Sequence, residues 1–490
     1  MTTTHDAWWL PGFQPDASAA WWEIPGDGVV ARAPRLSDAE LAALAARLRA
    51  ARRDYLSQLT VDAIVARLGA AVNRWLDPFS PYLHLACALI PRFTGYPEPA
   101  VRKGLAGYLG SFRAENLRRL LVDELDDPEV LDGFRPRRAG PGLTRAIGPA
   151  LVVHSFAGNV PGLPAQSLVA ATLVKAASLG KVAADEPVFA GLFLRSLADV
   201  DPRLAAGLAA TYWPGSESAA AFRHADLVVA YGSESTIAAV RASMPADGDP
   251  PIERRLIAYG HKLSFGVVAR ERLSTAALPE LAERAAYDVA RYDQQGCLSP
   301  HLFYVEAGGE FGAAEFASAL GTALDRWSNL VPRGRVGGEE RARVAEHRRQ
   351  AEFRVLTRGG AVQGGNQDDW RVLYDPDPAF SASCLNRTIW VKPLRDFSEL
   401  PDLVAPVRRY VQTAAVAADD SRIVEIADLM AQLGIDRVCP LGQMGDPPVT
   451  WHHDGRFNLL DFLRFTDLEP ENAAGRWEFS HPDRGVLGQV

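Results

Sequence analysis

The chain has 490 residues, of which 48% are hydrophobic, and its 52 basic and 60 acidic residues give a net charge of −8. This length predicts roughly two or three domains, and the mild acidity argues against a dedicated nucleic-acid binder. The sequence shows no basic and apolar signal at its start, no apolar run of about 18 residues and no clustered cysteines. We therefore expect a cytoplasmic protein without a membrane span, a disulfide framework or a metal site.

The first third of the chain predicts an irregular arm followed by helices. Residues 1–36 are rich in Trp, Pro and Gly, which indicates an irregular N-terminal arm. Ser37 and Glu40 have the spacing of a capping box and open an Ala- and Leu-rich helical region that continues to about Asp132. Residues 135–142, rich in Pro, Gly and Arg, read as a linker.

From residue 150 onward, short apolar runs alternate with helical patterns. This alternation predicts an α/β fold with a doubly wound parallel sheet. The predicted strands are 150–154, 179–183, 209–213, 226–231 and 256–259, and the predicted helices are 163–174, 187–200 and 233–243. Ligands bind such sheets at the carboxyl ends of the strands, where Asn159, Gly232, Ser233 and Gly260 fall.

The sequence divides into four segments. After the arm 1–36, residues 37–260 combine the helical region with the cofactor-binding α/β domain, and residues 261–437 form a second, catalytic α/β domain. Residues 438–490 are a C-terminal segment that returns to the cofactor domain or forms an oligomer interface. Within the catalytic domain, residues 339–352 predict a charged helix, and the Gly-rich residues 359–365 predict a flexible surface loop.

Cys297 is the best candidate for a catalytic residue. It follows a helix-like run, 278–291, at the point where Gln294, Gln295 and Gly296 break the pattern. Asn159 lies on a separate strand-to-helix turn, so that the thiol and the carboxamide can supply a nucleophile and an oxyanion donor. The ordinary alternatives are a buried cysteine and a turn asparagine.

Six segments, in the order of a known superfamily, carry a family resemblance. They are GNVPGLPAQSLVAA, GKVAADEP, VVAYGSEST, AYGHKLSFGVV, QQGCLSPH and WHHDGRFNLL. Over roughly residues 40–470 the chain resembles the LuxC-type acyl-CoA reductases, a branch of the aldehyde dehydrogenase superfamily. The resemblance implies a doubly wound cofactor domain and a second α/β domain that carries the nucleophilic cysteine. It also implies that the Asn159 amide and the Cys297 N–H hold the oxyanion.

The cofactor implied by the resemblance is NADPH. Lys181 matches a lysine that contacts the adenosine ribose, while Ala184 stands where the superfamily often has a glutamate that grips the ribose and favours NAD. Loss of that carboxylate removes repulsion of a 2′-phosphate. Gly232 and Ser233 open a helix after a strand, which is a natural pyrophosphate site, although an ordinary helix cap is the alternative.

Ala258 is the most informative departure from the superfamily. Hydrolytic aldehyde dehydrogenases carry at this position a glutamate that activates water, and alanine has no proton to move. His261 lies near this vacancy and could be a proton relay or a structural histidine. The resemblance implies that His453 and Asp454 border the active site. For the segment 451–455 that contains them, a loop fixed by hydrogen bonds is favoured over a metal site.

The sequence therefore predicts an enzyme that reduces an acyl thioester, on CoA or an acyl-carrier protein, to an aldehyde through a Cys297 acyl-enzyme. The alternatives are an aldehyde dehydrogenase that acts oxidatively and a cysteine-dependent acyltransferase or thioesterase without hydride transfer. A non-catalytic subunit that binds acyl carriers is a further alternative. The resemblance also implies a homo-oligomer and, as a candidate partner, an acyl-protein synthetase.

Overall fold

The computed structural model describes residues 3–15, 19–244, 255–365 and 368–469. The Ser37 side chain forms the predicted capping box with Glu40, and the helical region follows from there. The helices are α1 (Asp38–Asp54), α2 (Val61–Leu76), α3 (Pro81–Thr94), α4 (Glu98–Gly110), α5 (Ala114–Leu125), α6 (Pro164–Leu173), α7 (Phe189–Ala198), α8 (Pro202–Ala205), α9 (Ser218–Phe222), α10 (Glu234–Ser243), α11 (Leu278–Ala290), α12 (Ala313–Leu330), α13 (Gly338–Thr357), α14 (Leu400–Val404) and α15 (Asp420–Gln432).

The strands of the described residues assemble into four sheets. The strands are β1 (Thr3–Asp6), β2 (Trp21–Pro25), β3 (Val29–Pro34), β4 (Arg135–Pro136), β5 (Leu143–Ile147), β6 (Leu151–Ser155), β7 (Ala177–Lys181), β8 (Leu208–Thr211), β9 (Leu227–Tyr231), β10 (Arg255–Tyr259), β11 (Leu263–Val268), β12 (Pro300–Glu306), β13 (Ala361–Gly364), β14 (Arg371–Tyr374), β15 (Thr388–Leu394), β16 (Val411–Ala417), β17 (Arg437–Pro440) and β18 (Arg464–Leu468).

The first large sheet is parallel throughout and has the order β10-β9-β6-β7-β8. Successive residues of β6 alternate between two hydrophobic clusters: Val152 packs with α6 and α7, and Val153 packs with α1, α9 and α10. Helices therefore cover both faces, as a buried parallel sheet requires, and the predicted doubly wound α/β fold is confirmed. The carboxyl ends of β6, β7 and β9 lie side by side.

The second large sheet carries the nucleophile region and has the order β13-β14-β15-β12-β11-β16-β17. Only β13 runs antiparallel to its neighbour, β14. This pairing corrects the prediction for residues 359–365, because the Gly-rich segment contains an edge strand, Ala361–Gly364, where a flexible loop was expected. The hydrogen bonds to β14, which follows only a few residues later in the chain, override the weak strand propensity of glycine.

The N-terminal arm is also more regular than its composition predicts. Residues in 3–34 form a three-stranded sheet, in which β3 pairs in parallel with β1 and antiparallel with β2. Trp9 forms a bridge to Ala210 in β8, and the Trp22 ring packs edge-on against Tyr212 at 6.2 Å. These contacts supply the burial and backbone partners that stabilise short strands.

The residues after β17 return to the first part of the chain. Leu459, Phe462 and Leu463 pack in the same hydrophobic cluster as α2 and α6, and β18 pairs antiparallel with β5. The buried Glu124 carboxylate on α5 accepts backbone N–H bonds from residues 458–460 at 2.7–3.1 Å. The C-terminal segment thereby reaches the neighbourhood of both large sheets. Residues 470–490, the rest of the predicted segment 438–490, lie outside the described residues.

Candidate active site

Cys297 lies in a loop whose two ends are held by one side chain. The loop, residues 295–299, follows a left-handed turn in which Tyr292, Asp293 and Gln294 have φ values of 48°, 49° and 67°. The buried Gln294 amide donates to the carbonyl of Pro300 at 2.7 Å, on the far side of the loop. The ends of the nucleophile loop are thus fixed relative to each other.

A second left-handed turn, residues 385–387, contacts the first and holds it in place. Residues 385–387 have φ values of 54–62°, and left-handed backbone costs non-glycine residues about 1–2 kcal/mol each. Arg387 forms a buried ion pair with Asp293 at 2.7 Å, with side-chain exposures of 1% and 8%. The Gln294 amide group donates to the Thr388 carbonyl and accepts the Thr388 N–H, both at 2.9 Å. These contacts stabilise two strained turns at once and fix the nucleophile loop to the sheet.

Asn159 and the nucleophile loop are in direct contact. Asn159 Nδ2 donates to the Gln295 carbonyl at 2.9 Å, and the Tyr96 hydroxyl donates to the Asn159 carbonyl at 2.8 Å. On the other side, the Ser264 hydroxyl donates to the Cys297 carbonyl at 2.9 Å. The structure therefore places the Asn159 carboxamide against the loop that carries the Cys297 thiol, beyond the carboxyl end of β6.

The Cys297 thiol is poorly ionised in this environment. Cys297 is exposed in part, but burial by the surrounding protein, together with the Asp454 carboxylate, raises the pKa of its thiol to about 12. The N–H groups of Cys297 and Leu298 and the Lys262 ammonium act in the opposite direction. Since the thiolate is the nucleophile, the groups around Cys297 decide how much of it forms.

Lys181 lies at the carboxyl end of β7, which begins two residues earlier than the sequence predicted. Its ammonium lies 5.9 Å from the Tyr212 ring centroid, and burial lowers its pKa. Ala184 is exposed beyond the strand end. Glu186 is buried, and its carboxylate accepts the N–H groups of Val188 and Phe189 at 3.0 and 2.9 Å, so it caps α7. Its carboxylate is therefore engaged with the first residues of α7.

Gly232 and Ser233 lie at the carboxyl end of β9. A Cβ atom on Gly232 would lie 2.6 Å from Thr236 Cγ2, so this close approach of strand and helix favours glycine. Ser233 is the N-cap of α10, and its hydroxyl accepts the Thr236 N–H at 3.2 Å. Together with Lys181, these residues line one edge of the sheet, with groups that fit a dinucleotide.

The three histidine and aspartate candidates have different surroundings. His261 is exposed and packs edge-on against Tyr410, with ring centroids 5.9 Å apart. His453 is buried between Tyr259 and Trp451, and burial lowers its pKa to about 3. The burial that lowers this pKa favours the neutral imidazole. Asp454 is the member of this set that acts on the Cys297 thiol.

Several residues of the site escaped the sequence analysis. Arg387 and Gln412 lie in segments without a recognisable motif, and no local signal could have found them. Lys262 and Gln294 belong to the quoted segments AYGHKLSFGVV and QQGCLSPH, but neither residue carried a pattern that indicated its partner. Their roles depend on contacts between distant parts of the chain.

Two further observations on the described residues concern metal binding and membrane spanning. Within the described ranges, no three His, Cys, Asp or Glu side chains converge in a way that could hold a metal ion. None of the described helices has the length and apolar character that crossing a bilayer requires.

Comparisons with known proteins identify the family of this chain and its structural relatives. The model of the acyl-CoA reductase (LuxC) family matches residues 56–465. The chain is 25% identical over 423 residues to the long-chain acyl-protein thioester reductase 2 of Photobacterium leiognathi, covering 84% of this chain and 83% of that one. It is 27% identical over 354 residues to the long-chain acyl-protein thioester reductase of Aliivibrio fischeri, covering 71% and 69%.

Solved structures that resemble the fold are aldehyde dehydrogenases. Aldehyde dehydrogenase 21 from Physcomitrella patens has a TM-score of 0.72 at 12% identity, with 97% of this chain and 99% of that chain covered. The gamma-glutamyl-gamma-aminobutyraldehyde dehydrogenase of Burkholderia cenocepacia has a TM-score of 0.72 at 15% identity, with 94% and 95% covered. At these identities the likeness establishes the fold.

Proposed function

Since the chain belongs to the acyl-CoA reductase (LuxC) family and is an oxidoreductase that reduces acyl thioesters to aldehydes with a nicotinamide cofactor, we propose that the cofactor is NADPH and that Cys297 carries the acyl group. The observation that carries this proposal is the contact between Asn159 and the nucleophile loop at the carboxyl edge of the parallel sheet. The proposed nucleophile, the proposed oxyanion donor and the sheet edge that would bind the dinucleotide meet there.

Cys297 and Asn159 have separate roles in the first half of the proposed reaction. The Cys297 thiolate attacks the thioester carbonyl, and the Cys297 N–H and the Asn159 amide stabilise the oxyanion, a contribution of about 3–4 kcal/mol per donor in related sites. The carrier leaves as its thiolate and takes up a proton. The new thioester on Cys297 has an energy similar to that of the old one, so the exchange is reversible.

The bound dinucleotide supplies the hydride that reduces the acyl carbon. Lys181 would hold the ribose, and Gly232 and Ser233 at the start of α10 would hold the pyrophosphate. The hemithioacetal on Cys297 then breaks its carbon–sulfur bond, which releases the aldehyde and restores the thiolate. Because position 258 carries alanine, no carboxylate there activates water against the acyl-enzyme.

The preference for NADPH is supported at residues 184–186. Ala184 offers no carboxylate, and the Glu186 carboxylate is occupied by the N–H groups that open α7. Asp185 remains exposed and lines, with Asn159 and Gln295, a cleft of about 550 Å³. Position 184, where the superfamily often has a glutamate that contacts the ribose, thus carries no acidic group in this chain.

Replacement of Ala184 by glutamate is expected to reverse the cofactor preference. Two unit charges 4 Å apart repel by about 1 kcal/mol in water and about 4 kcal/mol near a protein surface, so the KM for NADPH should rise by at least about fivefold. The KM for NADH should fall or stay constant. Initial rates with both cofactors measure this, and Ala184→Gln is the control of equal size. Equal effects of Glu and Gln would place the 2′-phosphate elsewhere.

A mainly apolar pocket lies beside the left-handed turn that precedes the nucleophile loop. Residues of α4, α11 and α12 enclose about 130 Å³ next to Tyr292, and the lining includes Gly104, Tyr287 and Trp327. A Cβ atom on Gly104 would lie 2.8 Å from the Tyr292 ring, so glycine allows this close packing. We infer that the alkyl chain of the thioester binds here while its carbonyl lies at Cys297.

The relatives are named as acyl-protein thioester reductases, which supports a protein-bound acyl group as donor. An acyl-protein synthetase that presents this group is the corresponding partner, and acyl-CoA is the donor available in vitro. By analogy with the superfamily, the working form is a homo-oligomer.

The decisive assay follows NADPH consumption and aldehyde formation with medium- and long-chain acyl-CoA. Stoichiometric loss of NADPH and gain of aldehyde is the expected result. Release of CoA without NADPH consumption would replace the reductase by an acyltransferase or thioesterase. If neither occurs, acyl-carrier-protein thioesters are tested in the same way, and inactivity with both carriers contradicts the proposal.

A further inference from the structure

A partly buried group of charges lies beneath the nucleophile loop. Lys262, between β10 and β11, has its ammonium 3.8 Å from Asp454 Oδ1 and 4.0 Å from Asp436 Oδ2. The side-chain exposures of Lys262 and Asp454 are 19% and 8%. Charges this far from water interact more strongly than surface pairs do, and screening by salt is weak.

The Asp454 carboxylate is held in place from several directions. Asp454 has a left-handed φ of 55°, and Gln412 on β16 donates a hydrogen bond to its Oδ1 atom. The preceding residue, His453, stacks on Tyr259 with ring centroids 4.2 Å apart. Gly455 has φ +69°, and a Cβ atom there would lie 2.6 Å from Asp436 Oδ1. Backbone strain of this kind persists only where the surroundings enforce it.

This charged group is connected to Cys297. The Ser264 hydroxyl, two residues beyond Lys262, donates to the Cys297 carbonyl at 2.9 Å. At the thiol the Asp454 carboxylate and the Lys262 ammonium have opposite effects on the pKa, the first raising it and the second lowering it. Tyr108 also faces the thiol, but burial raises its pKa well above the ordinary value, so it stays uncharged.

The segment that contains Lys262 is the segment that lacks a carboxylate at Ala258. Tyr259, the residue after Ala258, forms the stacking contact with His453. The Asp454 carboxylate of the C-terminal segment therefore lies in this region, next to Lys262, the last residue of the motif AYGHK. Arg456 and Asp436 are the other charges that act on Asp454.

We propose that Lys262 and Asp454 form an opposed charge pair that sets how readily Cys297 loses its proton. Lys262 favours the thiolate, Asp454 disfavours it, and the contact between them keeps the two effects in balance. Both act through Cys297 and touch no substrate, so they are positioning residues.

The test measures the rate at which iodoacetamide alkylates Cys297 from neutral to alkaline pH. All variants carry Cys384→Ala, since Cys87 and Cys439 are buried, and the labelled peptide is identified by mass spectrometry. The proposal rests on Cys297 being the nucleophile of the proposed reaction, but alkylation needs neither thioester nor NADPH. Its outcome is therefore independent of the reductase assay.

Asp454→Asn should move the alkylation profile to lower pH and Lys262→Met to higher pH, and a shift of one pH unit is about a tenfold change in rate on the rising limb. Lys262→Arg should restore the wild-type profile. Asp436→Asn, which contacts the same lysine, is the matched control and should shift the profile less than Asp454→Asn.

The opposite signs separate electrostatics from damage to the fold. A loss of structure would change the profile in the same direction for both variants, and thermal unfolding identifies it. Shifts of the same sign in folded variants, or no shift in either, would overturn the proposal, as would failure of Lys262→Arg to restore the profile.

Discussion

Replacement of Cys297 by alanine is expected to lower aldehyde formation by at least about 10⁴-fold, the scale on which loss of an attacking nucleophile acts. The Ser264 and Gln294 contacts that hold the loop involve backbone atoms of Cys297 and Pro300, so the variant keeps the loop geometry. What it loses is the atom that accepts the acyl group. The NADPH-dependent assay with acyl-CoA measures the rate.

A second measurement shows where the acyl group goes. Wild-type protein mixed with acyl-CoA in the absence of NADPH should gain the mass of one acyl group, because Ala258 supplies no base for hydrolysis. The Cys297→Ala variant should gain none.

Cys384→Ala is the matched control, since this cysteine is half-buried and lies outside the nucleophile loop. The control should retain both the acyl adduct and the activity. NADPH binding, followed by fluorescence, should survive in Cys297→Ala. An active Cys297→Ala variant would contradict the acyl-enzyme.

The alternation of strands and helices made the parallel sheet predictable from the sequence. A β-α-β chain with buried apolar strands leaves few topologies, and the predicted strand at 226–231 differs from β9 by one residue. The N-terminal sheet was missed because β1 and β3 are separated by more than 20 residues and pair only in the folded state. Edge strand β13 was missed for a different reason: its glycines have weak strand propensity, and its pairing with the nearby β14 decides its structure.

The residues of the candidate site also fall into two groups: those that a local sequence pattern predicts and those that only long-range contacts reveal. Cys297 and Asn159 each lie in a local sequence pattern, and the fold brings the patterns together. Arg387 forms its ion pair with a residue 94 positions away, in a segment without a motif. Long-range electrostatic partners leave no periodicity in a single sequence. The structure was therefore needed to identify two charge pairs, Lys262 with Asp454 and Asp293 with Arg387.

The buried Asp293–Arg387 pair gives the largest expected effect on stability. Removing one partner of such a pair typically costs about 3–5 kcal/mol, because the remaining charge stays buried and uncompensated. Arg387→Met should therefore lower the free energy of unfolding by this amount, as measured by urea denaturation. The double variant Arg387→Met with Asp293→Asn should regain much of the loss.

Asparagine suits the double variant because it tolerates the left-handed backbone at position 293 and keeps an oxygen for the Gly334 N–H, which donates to Asp293 at 2.8 Å. If the ion pair also positions Cys297, kcat should fall in Arg387→Met while the KM for acyl-CoA changes little, since both side chains of the pair are buried. A single variant as stable as the wild type, or a double variant no more stable than the single, would show that the two left-handed turns are held by Gln294 and Thr388 without help from the charges.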